Sequence, residues 1–236
     1  MTDFELEVMN NLNIETVSKS IISETSKWGF KQSDYLKLIN ALMDLSLNKS
    51  ENEKHLSKET STKSKTKLIL PLYTDNTIIR LFNREKDHNV VNGWLDEEMG
   101  KWFLISRSHS TDKSFNQLLE DESNIFGLIT LKDSTPIGLM AFLDWDKTQH
   151  KAEMRKLIGS EEYRKKGYAK EATQSWIQYG VNNLGLKKIY LHTIENNIRN
   201  VTLNKELGFQ IEGILRKECN INNEYYDLLR MAYIVD

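Results

Sequence analysis

The stretch from residue 151 to residue 194 constrains the fold more than any other part of this sequence. A strand pattern over residues 151–159 leads into a basic, glycine-containing loop, and a helix pattern over residues 168–184 follows and ends at Gly185. Another strand pattern covers residues 187–194. Strands that alternate with helices in this way predict a sheet that helices cover on both faces.

The elements around this stretch show the same mixture from residue 67 to the end of the chain. Asp133 and Pro136 are turn formers between two apolar strand patterns, which predicts a hairpin. We therefore predict an α/β (α+β) domain with a mixed central sheet. Its other predicted strands are 77–82, 125–131, 137–144, 209–219 and 225–235, and its other predicted helices are 87–98, 114–123 and 197–207.

The first 47 residues predict a separate helical hairpin. Apolar residues from Ile14 to Trp28 recur at helical spacing, and Gly29 offers a stop. Ser33 is placed to cap a second helix, in which apolar residues from Leu36 to Leu45 recur in the same way. Two short amphipathic helices form only a thin core, so we expect them to pack on the main domain or on a second copy of the chain in a homodimer.

Residues 48–66 are predicted to be a flexible linker between this hairpin (1–47) and the main domain (67–236). Leu56 is the only large apolar side chain in the linker, so the segment cannot bury enough surface to offset the entropy of ordering it. Its lysines are interrupted by Glu51, Glu53 and Glu59 without any interleaved aromatic residue. That pattern disfavours nucleic-acid binding.

The charge balance and the cysteine count exclude several classes of function. The 32 basic and 34 acidic residues give a net charge of −2, which leaves no overall field to attract nucleic acid or an anionic membrane. Cys219 is the only cysteine, which excludes an internal disulfide framework and a cysteine zinc site. The sequence shows neither a signal-peptide pattern nor the roughly 18 successive apolar residues of a membrane span. We expect a cytoplasmic protein without a metal, nucleic-acid or membrane partner.

The loop between residues 159 and 168 has the chemistry of a phosphate site. The helix that follows it begins with backbone N–H groups that have no intrahelical partner and carry partial positive charge. Gly167 and the small Ala169 let a phosphate approach those groups closely. Each such hydrogen bond is worth roughly 1.5 to 3 kcal/mol, so several together can hold a pyrophosphate without a metal. A solvated turn before a helix would show the same pattern, so the neighbouring sequence has to decide.

The neighbouring sequence contains three further motifs. The run Ala-Glu-Met-Arg-Lys-Leu-Ile-Gly at residues 152–159 directly precedes the loop. Asn197 begins a segment that ends in Leu-Gly-Phe at residues 207–209, and Tyr-Tyr-Asp follows at residues 225–227. Together with the loop, these ordered motifs resemble the GNAT superfamily of acetyltransferases, and the match covers roughly residues 67–236. Within that superfamily they are most similar to the branch of ribosomal-protein alanine acetyltransferases and spermidine or diamine acetyltransferases.

The resemblance implies a GNAT fold, with a sheet that splays beside the strand at 153–159, and acetyl-CoA as co-substrate. In that fold the pantetheine arm pairs with the exposed strand edge, here through backbone groups of Leu157 and Ile158, which would also polarise the thioester carbonyl. Asn197 matches an amide that bonds the pantetheine arm, and it equally fits a plain N-cap. The residues that would hold the pyrophosphate are Arg164, Lys165, Lys166, Gly167, Tyr168, Ala169 and Lys170.

The resemblance also implies direct attack of a primary amine on the thioester in a ternary complex, which needs a group that accepts a proton. Glu153 is the first candidate for this base, although with Arg155 on the same strand face it would equally form an ion pair. His192 is chemically the better base near neutral pH, although a lone histidine on a strand is commonly structural.

The proton donor to the leaving thiolate departs from the family pattern. The family commonly has a tyrosine four residues before Gly208, and this sequence has Asn204, whose amide cannot act as an acid near neutral pH. We keep Asn204 among the predicted cofactor-binding residues. Either Tyr190 or Tyr225 replaces the missing acid, or the thiolate leaves into water. An alternative is a module that binds CoA, acetylates poorly and serves as a sensor or structural partner.

Acceptor specificity in the family lies in the helices after the first strand and in loops at the splayed edge. The acids of residues 87–107 are typical of a solvated helix face, and as a site they would attract a cationic amine. The predicted acceptor is a primary amine of a small molecule (a polyamine, amino sugar or amino acid), with a protein N-terminus or lysine as the alternative. The predicted acceptor residues are Glu98, Trp102, Asp144 and Tyr225.

Overall fold

The structure is a computed structural model that describes residues 3–48, 69–104, 115–194, 197–221 and 223–235. It divides into two compact units, Met1–Glu53 and Lys54–Asp236. The predicted linker at residues 48–66 lies outside the described residues, except for Asn48 at the end of a helix. No helix within the described ranges is both long and apolar enough to cross a membrane.

The N-terminal unit contains two helices, α1 (Asp3–Lys27) and α2 (Gln32–Asn48). Gly29 lies between them with a φ of +77°, a conformation that favours glycine at a helix end. The prediction that Ser33 caps α2 is wrong, because α2 begins one residue earlier at Gln32. The carboxylate of Asp34 instead accepts a hydrogen bond of 2.9 Å from the backbone N–H of Lys31.

The second unit is built on one eight-stranded sheet with the strand order β1-β2-β3-β4-β5-β6-β8-β7. The strand pairs of the described sheet are antiparallel except β5 with β6, which are parallel and joined through α6. A parallel pair requires such a crossover connection. The strands are β1 (Leu72–Tyr73), β2 (Thr77–Leu81), β3 (Ile125–Leu131), β4 (Pro136–Asp146), β5 (Lys151–Ile158), β6 (Lys188–Ile194), β7 (Gln210–Ile221) and β8 (Glu224–Ile234).

Helices cover both faces of this sheet, as the sequence predicted. Trp176 of α6 stacks on Phe142 of β4, with 5.1 Å between the ring centroids. The next residue of β4, Leu143, points to the opposite face because side chains alternate along a strand, and it packs in a cluster with Trp94 and Phe103. The helices are α3 (Arg84–Asp96), α4 (Glu98–Leu104), α5 (Phe115–Glu120), α6 (Tyr168–Asn183) and α7 (Ile198–Glu206).

The start of α3 differs from the predicted start at Asp87. Asn83 caps the helix by accepting a hydrogen bond of 3.0 Å from the backbone N–H of Lys86. Asp87 is buried inside the helix because the guanidinium of Arg80 donates two hydrogen bonds of 2.7 Å to it. The helix also ends at Asp96, and α4 continues the chain as a separate helix. The sequence pattern did not predict this start because the first turn of α3 is polar and shows no apolar periodicity.

Candidate active site

The candidate site is a gap between β5 and β6. The two strands pair only at their beginnings, and the last paired residues are Glu153 and Tyr190. Beyond that pair β5 remains bonded to β4, and β6 remains bonded to β8. One backbone edge of β5 from Met154 to Ile158 therefore has no partner strand in the described part of the sheet. A cavity of about 390 Å³ lies along this edge.

The direction of the backbone groups along β5 corrects one prediction. The N–H of Gly159 donates a hydrogen bond of 2.9 Å to the carbonyl of Ile137, which directs residue 159 towards the β4 side. Backbone groups alternate along a strand, so Leu157 also faces β4, and its carbonyl lies where a side chain at Gly138 would be. Lys156 and Ile158 therefore direct their backbone groups towards the gap. Leu157 lines the cavity without offering backbone groups to it.

The predicted phosphate loop lies at the end of this edge. Gly167 is the N-cap of α6 with a φ of +87°, and Lys165 also adopts the left-handed conformation with a φ of +66°. The first turn of α6 adjoins a second cavity of about 380 Å³. The predicted loop residues that line it are Lys165, Gly167, Tyr168, Ala169 and Lys170, whereas Lys166 lines neither cavity and lies 5.6 Å from the Tyr163 ring.

Arg164 contributes to this loop in a way that the sequence did not predict. Its guanidinium folds back onto the end of β5 and donates to the carbonyls of Ile158 and Gly159. Gly159 packs directly under the Trp94 ring, where an added Cβ would lie 2.1 Å from a ring carbon. The arginine and the glycine together fix the turn from β5 into the loop.

The face of β5 that carries Glu153 holds a buried cluster of charged groups. Nε of Arg155 and Nδ1 of His192 each lie 3.1 Å from Oε1 of Glu153. The predicted ion pair between Glu153 and Arg155 is therefore present. Burial alone would raise the pKa of Glu153, but the charge of Arg155 and the hydrogen bond from His192 outweigh it and hold the pKa below its ordinary value. We call this face, with Glu153, Arg155 and His192, the acceptor face.

His192 has one ring nitrogen that faces no partner. The ionised Glu153 can only accept, so Nδ1 of His192 carries the hydrogen that joins them. Nε2 of His192 is buried and has no hydrogen-bond partner among the described residues. His192 and Glu153 both line the cavity.

The opposite face of β5, which we call the cofactor face, holds Lys156 and Asn204. Nζ of Lys156 donates a hydrogen bond of 2.5 Å to Oδ1 of Asn204, on α7. Burial lowers the pKa of Lys156 to about 7. Asn204 is fully buried and does not line the cavity, whereas Lys156 does. Sequence reasoning missed Lys156, because a lysine in a strand carries no signal until its neighbours in space are known.

The other predicted residues lie in different places. Tyr190 is buried on the acceptor face under Arg230, 4.4 Å from its ring centre, away from Asn204. That position counts against Tyr190 as the acid for the thiolate. Asn197 lines the cavity and caps α7, with its Oδ1 3.1 Å from the N–H of Asn200.

The predicted acceptor residues are only partly brought together. Trp102 of α4 lines the cavity, and its ring lies 5.2 Å from that of Tyr226. Tyr225, the residue that was predicted, is exposed and does not line the cavity. Asp144 also lies outside the lining. Glu98 begins α4, but its side chain lies outside the described part of the structure.

No group of three or more His, Cys, Asp or Glu residues in the described ranges has the arrangement of a metal site.

Comparison with known proteins gives a family for this architecture. The family model described as an acetyltransferase (GNAT) domain matches residues 76–210, more than half of the chain. A spermidine N(1)-acetyltransferase of Escherichia coli strain K12 is 33% identical over 148 residues, which cover 63% of this chain and 75% of that protein. An uncharacterized N-acetyltransferase, p20, of Bacillus licheniformis is 30% identical over 152 residues, covering 61% of this chain and 85% of that protein.

Solved structures agree with this match. Spermidine N-acetyltransferase from Vibrio cholerae in complex with CoA and spermine superposes with a TM-score of 0.58 at 25% identity, covering 67% of this chain and 95% of that one. The same enzyme in a dodecameric form superposes with a TM-score of 0.56 at 27% identity, covering 67% of this chain and 93% of that one. Another structure of it contains manganese ions, with a TM-score of 0.56 at 25% identity, covering 67% of this chain and 92% of that one. The chain therefore belongs to the GNAT family of acetyltransferases and is an acyltransferase.

Proposed function

We propose that this protein transfers the acetyl group of acetyl-CoA to a primary amine of a small polyamine. The observation that carries the proposal is the gap beside β5, which has the glycine-containing loop and the N-terminus of α6 at one end and His192 on the acceptor face. The polyamine acceptor is supported by the spermidine N-acetyltransferases among the relatives and structural neighbours.

The residues around the gap fit the parts of CoA. The open edge of β5 offers backbone groups of Lys156 and Ile158 to an extended amide-containing arm, in the manner of an added strand. Asn197 uses its oxygen as a helix cap, which leaves its amide N–H₂ for such an arm. The N-terminus of α6 and the side chain of Lys165 attract the phosphates.

The acceptor face fits the chemistry of the attacking amine. An amine must lose a proton to attack the thioester carbon, and Nε2 of His192 is the acceptor that the geometry supplies. Glu153 accepts from Nδ1 and so fixes the tautomer and the ring orientation. This reverses the order predicted from sequence, because a carboxylate with a lowered pKa and two partners is a weak base.

The surroundings of the cavity favour a cationic acceptor. Glu153 places a carboxylate on the acceptor face of the cavity. Trp102 also lines the cavity, with its ring 5.2 Å from that of Tyr226, and aromatic faces attract ammonium groups.

The test is to incubate the purified protein with acetyl-CoA and a panel of amines and to follow free thiol release. The panel contains spermidine, spermine, putrescine, an amino sugar, a free amino acid and peptides with a free N-terminus or lysine. We expect the largest kcat/KM with a polyamine. Preference for a peptide would replace the proposal with protein acetylation. Tight CoA binding without thiol release above background for any amine would indicate a CoA-binding module.

A further inference from the structure

Lys156 is a partly buried cation whose hydrogen-bond partner in the described structure carries no charge. Its one hydrogen bond in the described structure goes to the neutral amide of Asn204. Glu153 is the only carboxylate among the described residues that line the cavity, and its partners are Arg155 and His192. The other charged lining residues on the cofactor side are basic: Arg164, Lys165 and Arg199.

Lys156 and Glu153 lie on opposite faces of the same strand. Side chains alternate along β5, so Glu153 and Arg155 share one face and Lys156 occupies the other. Contacts confirm the division, since Glu153 bonds His192 of β6 whereas Lys156 bonds Asn204 of α7. A ligand lying in the plane of the gap would have the proton acceptor on one side and the ammonium on the other.

We propose that Lys156 donates the proton that the sulfur atom receives when the thioester is cleaved. This inference rests on the proposed function, because it concerns the same transfer. The phosphate loop follows the end of β5, so the acyl end of the donor lies towards the beginning of the gap, near Glu153 and Lys156. An anion that forms there meets the ammonium of Lys156, whose described partner, Asn204, is uncharged.

The bonds and protons of the proposed transfer balance. The amine nitrogen bonds to the carbonyl carbon while His192 Nε2 takes its proton, and the carbon–sulfur bond then breaks with its electron pair going to sulfur. Sulfur takes a proton from Lys156 Nζ, which leaves a neutral amine on Lys156. The proton held by His192 passes to solvent, and Lys156 regains one from solvent. A cation with a pKa of about 7 gives up a proton far more readily than an ordinary lysine, whose pKa is 10.5.

The first arm of the test needs no turnover. Free CoA is titrated while bound to the wild-type protein and to Lys156→Met, and thiolate is followed by its ultraviolet absorbance with the apo-protein subtracted for Cys219. At pH 6.5, where Lys156 is still charged, its ammonium is expected to raise the thiolate fraction of the bound CoA by about 10- to 10³-fold relative to Lys156→Met. Equal thiolate fractions in the two proteins at that pH would overturn the proposal. This arm decides about Lys156 even if the wild-type protein acetylates no amine, which would refute only the proposed function.

The second arm measures turnover with the best amine of the panel. We expect Lys156→Met to lower kcat by about 10²- to 10⁴-fold with unchanged CoA affinity, and to remove the alkaline decline of kcat. Lys156→Arg keeps the positive charge but cannot release a proton, so it should remain slow. A kcat of Lys156→Met within threefold of wild type would contradict proton donation. Lys132→Met, an exposed lysine in the turn after β3 that lines neither cavity, is the matched control.

Discussion

The two faces of β5 differ in how their buried charges are balanced. On the acceptor face Glu153 meets two partners, Arg155 and His192, and its carboxylate remains ionised. On the cofactor face Lys156 meets only a neutral amide, and burial lowers its pKa to about 7. One strand thus carries a charge cluster that is satisfied in the free protein and a cation that lacks an anion. Under the proposed function, the acceptor face is organised before substrates bind, whereas the cofactor face is suited to an anion that arrives.

Removing the base should have the largest effect on the acceptor face. We expect His192→Asn to lower kcat by about 10²- to 10⁴-fold, because an asparagine amide can still donate to Glu153 but cannot accept a proton. Steady-state kinetics at saturating substrates, with CoA affinity measured separately, provide the check. His150→Asn is the control, since His150 is exposed, has a φ of +52° that asparagine tolerates, and lies outside the cavity lining. Equal rates for the two variants would exclude His192 as the base.

Breaking the balance on the acceptor face should destabilise the fold. Glu153→Gln leaves the buried Arg155 without its anion, and loss of one partner of a buried pair costs about 3 to 5 kcal/mol. Urea unfolding at neutral pH measures this change. Glu206→Gln removes the exposed partner of Lys170 and should cost less than about 1 kcal/mol. If both variants lost the same small amount of stability, the acceptor-face cluster would not be a tightly coupled buried group.

Removing the unbalanced charge of Lys156 should stabilise the fold, in contrast to Glu153→Gln. The folded-state pKa of Lys156, about 7, lies below the ordinary 10.5, so the unfolded chain binds more protons between these values and stability rises with pH there. The cost of burying the cation is therefore complete below pH 7 and absent above 10.5. Lys156→Met should stabilise the protein by a few kcal/mol at pH 6.5, and the gain should shrink by pH 9.5. Thermal unfolding at both pH values tests this, and a loss of stability at pH 6.5 would refute it.

Adding an anion to the cofactor face should have the smallest effect of these changes on kcat at neutral pH. Asn204→Asp places a carboxylate beside Lys156 and should raise the pKa of the lysine by about 1 to 3 units. If Lys156 is the proton donor, the alkaline decline of kcat moves upward by the same amount. A kcat–pH profile from pH 6 to 10 measures the shift. An unmoved profile would separate that decline from Lys156.

Most strands and the turn before α6 were predictable because their signals are local. Apolar runs on either side of turn formers located β3 and β4, and the glycines at 167, 185 and 208 lie at helix boundaries with positive φ angles. The pairing between strands was less predictable. A shift of one residue exchanges the two backbone directions, and of Leu157 and Ile158, which the resemblance implied, only Ile158 directs its backbone groups to the gap.

The sequence by itself determined the family, most of the order of the elements and the loop at the N-terminus of α6, because these signals come mainly from residues that are close together along the chain. Only the tertiary structure decided which side chains of β6 and α7 meet each face of β5. Glu153 meets His192 across 39 positions, and Lys156 meets Asn204 across 48. Such contacts depend on where the strands diverge and which helix covers each face. The same contacts set the protonation of Glu153 and Lys156, since burial and neighbouring charge, not residue type, determine a pKa.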